Sequence, residues 1–476
     1  MIDTADKILD TVLIFTPTSY SDKENIWEDV HAKFPPLGLA SIAAYIRSKG
    51  HTVEIIDCNI DGPSFSDFVL YFTRHFLVVY SHINVIGISS LTSNINTAYK
   101  IAQLCKEHYP DAIIVLGGPH ATALPQEVIQ NEYVDIVVVG EGEYTFEEIV
   151  SGCNLSSIHG IVYKNENGNI ITNTPRKRIN DLDSLPMPAY DRLRIADYRP
   201  AKGSYKRLPA MSMVTSRGCP GACTFCVKTL GNRITYRSAE KIIEEIRLLI
   251  GQYKIKHILF YDDTFTVNER NVMRLCDLLI INKINITWTC FTCTVFVSYE
   301  LLQKMKDAGC HQIMYGIEST DRTVLQNINK KIDITHVRNA VQWTKQVGIE
   351  CRLAFLVGSP GDTETTIQEN IKFINQLDPD YLIVNVTTPF PGTQMFEWAK
   401  DEDLITSYNW DDYTLAKPVI RLKNLNEKQI IKLYKMMYRR FYLRPNYIIK
   451  RLASIRSLSD FNILFNGFKS LLSFFY

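Results

Sequence analysis

Cys219, Cys223 and Cys226, in the stretch SRGCPGACTFCVK (residues 216–228), follow a C-x3-C-x2-C spacing. Gly218, Pro220 and Gly221 let such a loop curl until its sulfurs face one point. Thiolates suit iron–sulfur clusters and zinc. A structural zinc site wants a fourth Cys or His at a matching spacing, and none lies close by. The next cysteines, Cys290 and Cys293, form a C-x2-C on a later apolar run. A closed site shared with them is one alternative, and buried structural cysteines are another. A [4Fe–4S] cube with three cysteines keeps one iron open, where a ligand can bind and receive an electron.

The loop must be held by regular elements. It directly follows the apolar run MSMVTS, and HILFYDD, ITWTCF, QIMYGIE, ECRLAFLVG and YLIVNVT continue the series. Helical patterns lie between them near 238–251, 268–282, 298–309, 333–347 and 363–377. Six β/α units are too few for a closed eight-stranded barrel and fit an open, partial (β/α)6 barrel over 211–405. In such barrels chemistry sits at the carboxyl ends of strands, where the cysteine loop falls.

Residues 1–150 carry an earlier α/β series. TVLIF, TVEIID, VIGISS, AIIVLGG and DIVVVG alternate with helical segments such as LGLASIAAYIRSK. Runs that are apolar throughout point to a parallel, doubly wound (Rossmann-like) sheet covered on both faces. Residues 151–210 read as a hairpin turning at Asn167-Gly168, then a proline-containing acidic linker, DLDSLPMPAYDRL. The region 406–476 reads as helices. In its last stretch Phe461, Leu464, Phe468, Leu471, Leu472 and Phe475 recur at helical spacing, which fits packing over the barrel mouth, a dimer contact or a peripheral membrane contact.

The cysteine spacing, with Phe225 before the last cysteine, resembles the radical S-adenosylmethionine (radical SAM) superfamily. The resemblance implies that the open iron chelates S-adenosylmethionine, whose one-electron cleavage releases a 5′-deoxyadenosyl radical. FYDDTFT then places Tyr261, Asp262 and Asp263 at the cofactor's ammonium, and YGIEST places Glu318 and Ser319 near ribose and methionine. LVGSPGDTE resembles the family's turn against adenine, with Gly358, Pro360 and Gly361. Each piece alone is weak, an Asp-Asp pair being a common helix cap and Gly-Pro-Gly a common turn. In order and at successive strand ends they reinforce one another. Cys290 and Cys293 depart from the family's pattern and read as small core residues on the third barrel strand.

GISSLTSN and LGGPHAT, the loops after two strands of the first series, have 25 residues between Leu91 and Gly117. They resemble the cobalamin-binding domain of methionine synthase and the corrinoid mutases. That resemblance implies that Ser89, Ser90, Leu91, Gly117, Gly118 and His120, with Gly38, surround the cofactor's nucleotide tail. Those proteins also carry Asp-x-His-x-x-Gly, but here Lys33 and Pro35 fall on the aspartate and histidine positions. Proline cannot ligate cobalt, and Asp29 and His31 lie four residues too early. A decayed corrinoid site serving as scaffold is the competing reading.

The 52 basic and 51 acidic side chains leave a net charge of +1, which gives no footprint for nucleic acid. The acidic N-terminus MIDTADKILDTVLIF, the lack of an apolar run near roughly 18 residues and the 11 scattered cysteines lead us to expect a cytoplasmic protein with reduced thiols. The two domains together resemble the cobalamin-binding radical SAM class. The resemblance implies a [4Fe–4S] cluster, S-adenosylmethionine and cobalamin, with methylation of an unactivated carbon or phosphinate phosphorus of a small-molecule or lipid-like substrate. It also implies an external electron donor of flavodoxin or ferredoxin type. Oxidative cyclisation, as in the anaerobic magnesium-protoporphyrin cyclase, uses the same cofactors. A cobalamin-free methylthiotransferase would need further N-terminal cluster cysteines, and a non-catalytic carrier would not need the loops at 261–266, 316–320 and 358–363. No residue is identified as a substrate acid or base.

Overall fold

The computed structural model describes residues 7–17, 32–201 and 203–453. Asp29, His31 and the expected helix at 461–475 lie outside them. Two mainly parallel sheets organise the described residues. The first contains β1 (Lys7–Phe15), β2 (Val53–Asp57), β3 (Tyr80–Ser89), β4 (Ile113–Gly117), β5 (Ile136–Val138), β6 (Ile161–Lys164) and β7 (Ile170–Thr172), in the order β2-β1-β3-β4-β5-β6-β7. The first five are parallel, and the β6–β7 hairpin adds antiparallel to β5, so residues 161–172 extend this sheet.

Apolar side chains fill both faces, as expected for a doubly wound sheet. Leu13, Val85, Val115 and Ile136 pack with the helices Leu37–Ser48 and Glu143–Val150. Ile14, Ile86, Ile88, Ile114 and Leu116 pack with Phe65–His75 and Ile95–His108 on the other face. The chain turns in opposite directions from β1 to β2 and to β3, which makes the carboxyl ends of β1 and β3 a switch point, where such sheets bind ligands.

The second half begins at β8 (Ala210–Met213), followed by a short antiparallel pair, β9 (Ser216–Arg217) and β10 (Thr235–Tyr236). Then come β11 (His257–Phe260), β12 (Thr287–Thr292), β13 (Cys310–Glu318), β14 (Glu350–Val357) and β15 (Tyr381–Val386). These form an open parallel sheet in the order β15-β14-β13-β12-β11-β8, the partial barrel expected from six β/α units. Ser238, Asn268, Ser298, Asp333 and Thr363 cap its outer helices by accepting first-turn N–H bonds, and each cap ends a βα loop with defined geometry.

The open edge at β15 is covered. From the helix Glu427–Tyr442, the Tyr438 and Tyr442 hydroxyls each bond both backbone groups of Val384 and Leu382, respectively, at 2.8–3.1 Å. This satisfies an edge that would otherwise template strand addition. Before that helix, the chain crosses back, and Ile405, Trp410, Tyr413 and Ile420 join the apolar core on one face of the first sheet. The two halves are therefore packed together at more than the linker. Among the described residues no helix is long and apolar enough to cross a membrane.

Candidate functional site

The cysteine loop leaves β8 through Thr215 and Ser216. Asp262, at the end of β11, accepts from both of their backbone N–H groups, at 2.6 and 2.8 Å, and from the Thr215 hydroxyl. The β9–β10 pair closes the loop's stem. Gly218 sits at φ +97°, and a Cβ there would lie 2.4 Å from the Arg233 carbonyl, so this position requires glycine. Across the mouth, Thr224 N–H bonds Ile328 O at 3.0 Å, and Asn329 Nδ2 donates to Ala222 O at 2.9 Å.

Within that frame two of the sulfurs stand beside Gly221, whose hypothetical Cβ would lie 3.4 Å from Cys219 Sγ and 3.9 Å from Cys223 Sγ. Cys219 and Cys223 are half-buried and Cys226 is exposed. Although Cys226 is open to solvent on one side, the protein crowded around its sulfur and then Asp263 raise its thiol pKa. Among the described residues no three His, Cys, Asp or Glu side chains converge as one metal ion requires. A cubane takes each thiolate on a different iron, so its ligands stand farther apart. The donor set fits a cluster.

The other barrel residues divide in two groups. Asp263 faces the loop beside Cys226. Glu318 ends β13 at φ +69°, a conformation costly for a non-glycine residue and often tied to function. Its Oε1 lies 3.2 Å from Lys330 Nζ. Burial opposes charge on Lys330, but Glu318, Cys223 and Cys293 outweigh it and raise its pKa. Ser319 is buried, and its hydroxyl accepts from Asp321 N–H at 3.2 Å. Gly358 and Gly361, both at positive φ, frame a turn held by Asp362, which accepts from Gly358 and Ser359 N–H at 3.0 and 2.9 Å. Pro360 O accepts from Asn327 Nδ2 at 2.9 Å, and Phe225 packs against Leu325, Ile328 and Met395.

Asp262 is 1% exposed and its carboxylate accepts from the loop's backbone, so in this structure it braces the cysteine loop. Tyr261 likewise turns its ring between Phe34 and Phe291, at centroid distances of 5.1 and 5.0 Å. Cys290 is buried in the core as expected, whereas Cys293 is half-buried, close enough to Cys223 and Lys330 to act on both.

A cavity of about 380 Å³ opens at the carboxyl ends of the first sheet's strands. Gly38, Ser89, Gly117 and Gly118 line it, with Gly87, Gly140 and Gly142. A Cβ at Gly38 would meet nothing within 4 Å, and at Gly117 nothing nearer than 3.9 Å. This cradle of small residues fits a ligand that presses on backbone. Ser90 is buried beside it with its N–H bonded to Gly117 O. Leu91 is exposed and outside the wall. His120 is fully buried, 3.2 Å from Thr92 Oγ1, with its ring against Trp410 at 5.3 Å, behind the cavity wall. Pro35 is buried, and Lys33 pairs its backbone N–H with Arg199 O at 2.8 Å.

The cavity's far wall belongs to the barrel half. Arg217 lines it and bonds Glu141 at 2.7 Å and Glu143 at 2.6 Å. Burial opposes these charges, yet the mutual attraction raises the Arg217 pKa and lowers that of Glu143. In the sequence the two glutamates stand in GEGEYTFEEI, a stretch that resembles the cobalamin-binding radical SAM class but indicates no partner for them.

Residues 26–150 match the B12 binding domain family, and residues 213–374 match the Radical SAM superfamily. An uncharacterized methyltransferase of Pyrococcus horikoshii is 35% identical over 451 residues, covering 93% of this chain and 95% of that protein. The chain is a B12-binding radical SAM protein. The anaerobic magnesium-protoporphyrin IX monomethyl ester cyclase of Rubrivivax gelatinosus is 24% identical, over 88% of this chain and 76% of its own. In fold, the B12-binding radical SAM chain resembles the cobalamin-dependent S-adenosylmethionine radical enzyme OxsB, solved with aqua-cobalamin and S-adenosylmethionine. The TM-score is 0.74 at 18% identity, over 98% of this chain and 72% of that one.

Proposed function

We propose that this protein is a cobalamin-dependent radical SAM methyltransferase acting on an unactivated carbon or phosphinate phosphorus of a small-molecule or lipid-like substrate. The observation that carries this reading is the shared wall: Arg217, two residues before Cys219, bounds the small-residue cavity on the first sheet. A cluster ligand loop and a cradle of small residues thus meet at one interface.

When bound, the cluster supplies single electrons to S-adenosylmethionine and the corrinoid supplies methyl transfer. The chain's own residues hold and orient. Cys219, Cys223 and Cys226 take the cluster, with Asp262 fixing their loop. Asp263, Glu318 and Lys330 present charge at the barrel mouth for the amine and carboxylate of S-adenosylmethionine. The turn at 358–361 and Phe225 offer an adenine surface. Gly38, Ser89, Gly117 and Gly118 make room for the corrinoid's tail, and Pro35 supplies no ligand to cobalt. An external donor of flavodoxin or ferredoxin type in a reducing cytoplasm provides the electrons. Oxidative cyclisation is the second reading, favoured by the cyclase relative that matches 88% of the chain.

The test is anaerobic reconstitution with iron, sulfide and hydroxocobalamin. We expect about four irons per chain, corrinoid absorbance retained through gel filtration, and 5′-deoxyadenosine formed only with reductant. Cys223→Ala should abolish 5′-deoxyadenosine while corrinoid uptake persists. Cleavage retained in that variant, or a parent that takes up no corrinoid, would overturn the reading.

A further inference from the structure

The barrel's inner face carries a charge that the proposed roles leave unused. On β14, Cys351, Leu353, Phe355 and Val357 pack outward in the apolar core with the helices, and strand alternation turns Arg352 and Ala354 inward. The register sets Phe291, Met314, Arg352 and Tyr381 in one row across β12 to β15, with Gly316, Ala354 and Ile383 in the next row toward the mouth. β13 and β14 are interior strands with a covered outer face, yet Met314, Gly316 and Ala354 are all half-buried. What remains exposed of them therefore lies on the inner side of the barrel.

Arg352 itself is 7% exposed. Its Nη2 donates to Gly203 O at 2.5 Å, the guanidinium lies over the Tyr381 ring at 5.0 Å, and Nε is buried without a hydrogen-bond partner. The carboxylate on the same face, Glu350, is used by Gln312 Nε2 at 3.1 Å and His311 Nε2 at 3.5 Å. A guanidinium keeps its proton even where burial lowers its pKa, as here. A buried cation without a bonded anion is costly, and an entering anion with complementary oxygens offsets that cost.

We infer that the lumen binds an amphipathic acid: an apolar body along Phe291, Met314 and Ile383, and a terminal carboxylate or phosphate at Arg352. Ala354 lines the passage from the mouth, and the Glu318–Lys330 pair stands at its rim beside Gly316, where a Cβ would lie 2.7 Å from Glu318 Oε1. This deepens the proposed function by naming its substrate class, and rests on the barrel being the reaction chamber.

Equilibrium dialysis of the full chain, reconstituted with iron, sulfide and hydroxocobalamin, tests it with decanoate, decyl phosphate and neutral decanol. One or both acids should bind at least tenfold more tightly than decanol, and the two acid arms distinguish carboxylate from phosphate. Arg352→Met should bring acids and alcohol to equal affinity, and Arg352→Lys should restore part of the preference. Iron content and corrinoid uptake of the same samples report folding. Ala354→Phe, which narrows the passage without touching the charge, should weaken binding of the acids if Arg352→Met does not fold. Decanol bound as tightly as both acids by the parent, or an acid preference surviving Arg352→Met, overturns the inference. Failure to take up iron with the acid preference intact would count against the cofactor reading alone.

Discussion

Arg217 Nη2 lies 2.6 Å from Glu143 Oε1, an ion pair joining the stem of the cysteine loop to the loop after β5. The pair is nearly buried, and Ser41 Oγ donates to the same carboxylate oxygen at 2.7 Å. Removing the cation leaves two carboxylates, Glu141 and Glu143, in a low-dielectric wall. Arg217→Gln should therefore destabilise the protein by about 3–5 kcal/mol and weaken corrinoid retention. Adding Glu143→Gln should recover part of the stability, because the stranded charge is then removed. Denaturant unfolding of the two single variants and the double variant checks this, and additive losses would mean that the pair is not coupled.

Asp262→Ala separates loop geometry from corrinoid binding. The substitution strands the Thr215 and Ser216 N–H groups, and each buried donor left unpaired costs about 1–3 kcal/mol. Iron incorporation should fall several-fold while hydroxocobalamin uptake stays near the parent's, since Asp262 lies outside the cavity wall. Iron and corrinoid falling together would instead assign Asp262 to the fold as a whole.

Gly117 and Gly118 are adjacent but should fail differently. A Cβ at Gly117 enters open cavity space, with nothing nearer than 3.9 Å. Gly117→Val should keep the fold and lose corrinoid uptake by filling the cradle. At Gly118, φ is +96° and a Cβ would lie 2.6 Å from Ser90 O, so Gly118→Val should lower stability before any ligand is considered. Thermal unfolding of the cofactor-free proteins, set beside corrinoid titrations, distinguishes the two outcomes. A Gly117→Val protein that still retains corrinoid would move the tail site elsewhere.

Most of this architecture was legible in local sequence. β-Branched runs specify β1 to β5, and capping residues such as Ser298 and Thr363 specify the helix starts, because those signals act over a few residues. The cysteine loop was legible for the same reason. What escaped was partnership across distance. An Asp-Asp pair cannot reveal that Asp262 turns back to the loop 46 residues earlier, nor can GGPHAT reveal that His120 is claimed by Trp410 from beyond the barrel. GEGE and Arg217 meet 74 residues apart, and each looks like ordinary surface charge until folding buries both.

The amino-terminal end of the barrel should set part of the protein's acid sensitivity. His257 and His311 face each other there with ring centroids 6.2 Å apart. Burial first lowers both, followed by His311 for His257 and by Lys206 and other cations for His311, to about 3 and about 4 respectively. Lys206, Arg207, Lys306 and Arg352 surround them, with Asp380 acting in the opposite direction on His311. In the unfolded chain both imidazoles titrate near 6.5. Between about 6.5 and 4 the unfolded state binds more protons, so stability falls as pH falls through that window, and above it these groups add no slope. At pH 5 the term amounts to about 2 kcal/mol for His257. Asp57, Asp262 and Asp362, each lifted to about 6 mainly by burial, titrate in the same range with the opposite sign. The informative comparison is therefore between parent and variant. His257→Asn should lose less stability between pH 7.5 and pH 5 than the parent does, read from urea midpoints at each pH. Equal losses in the two proteins would place the acid-sensitive group elsewhere.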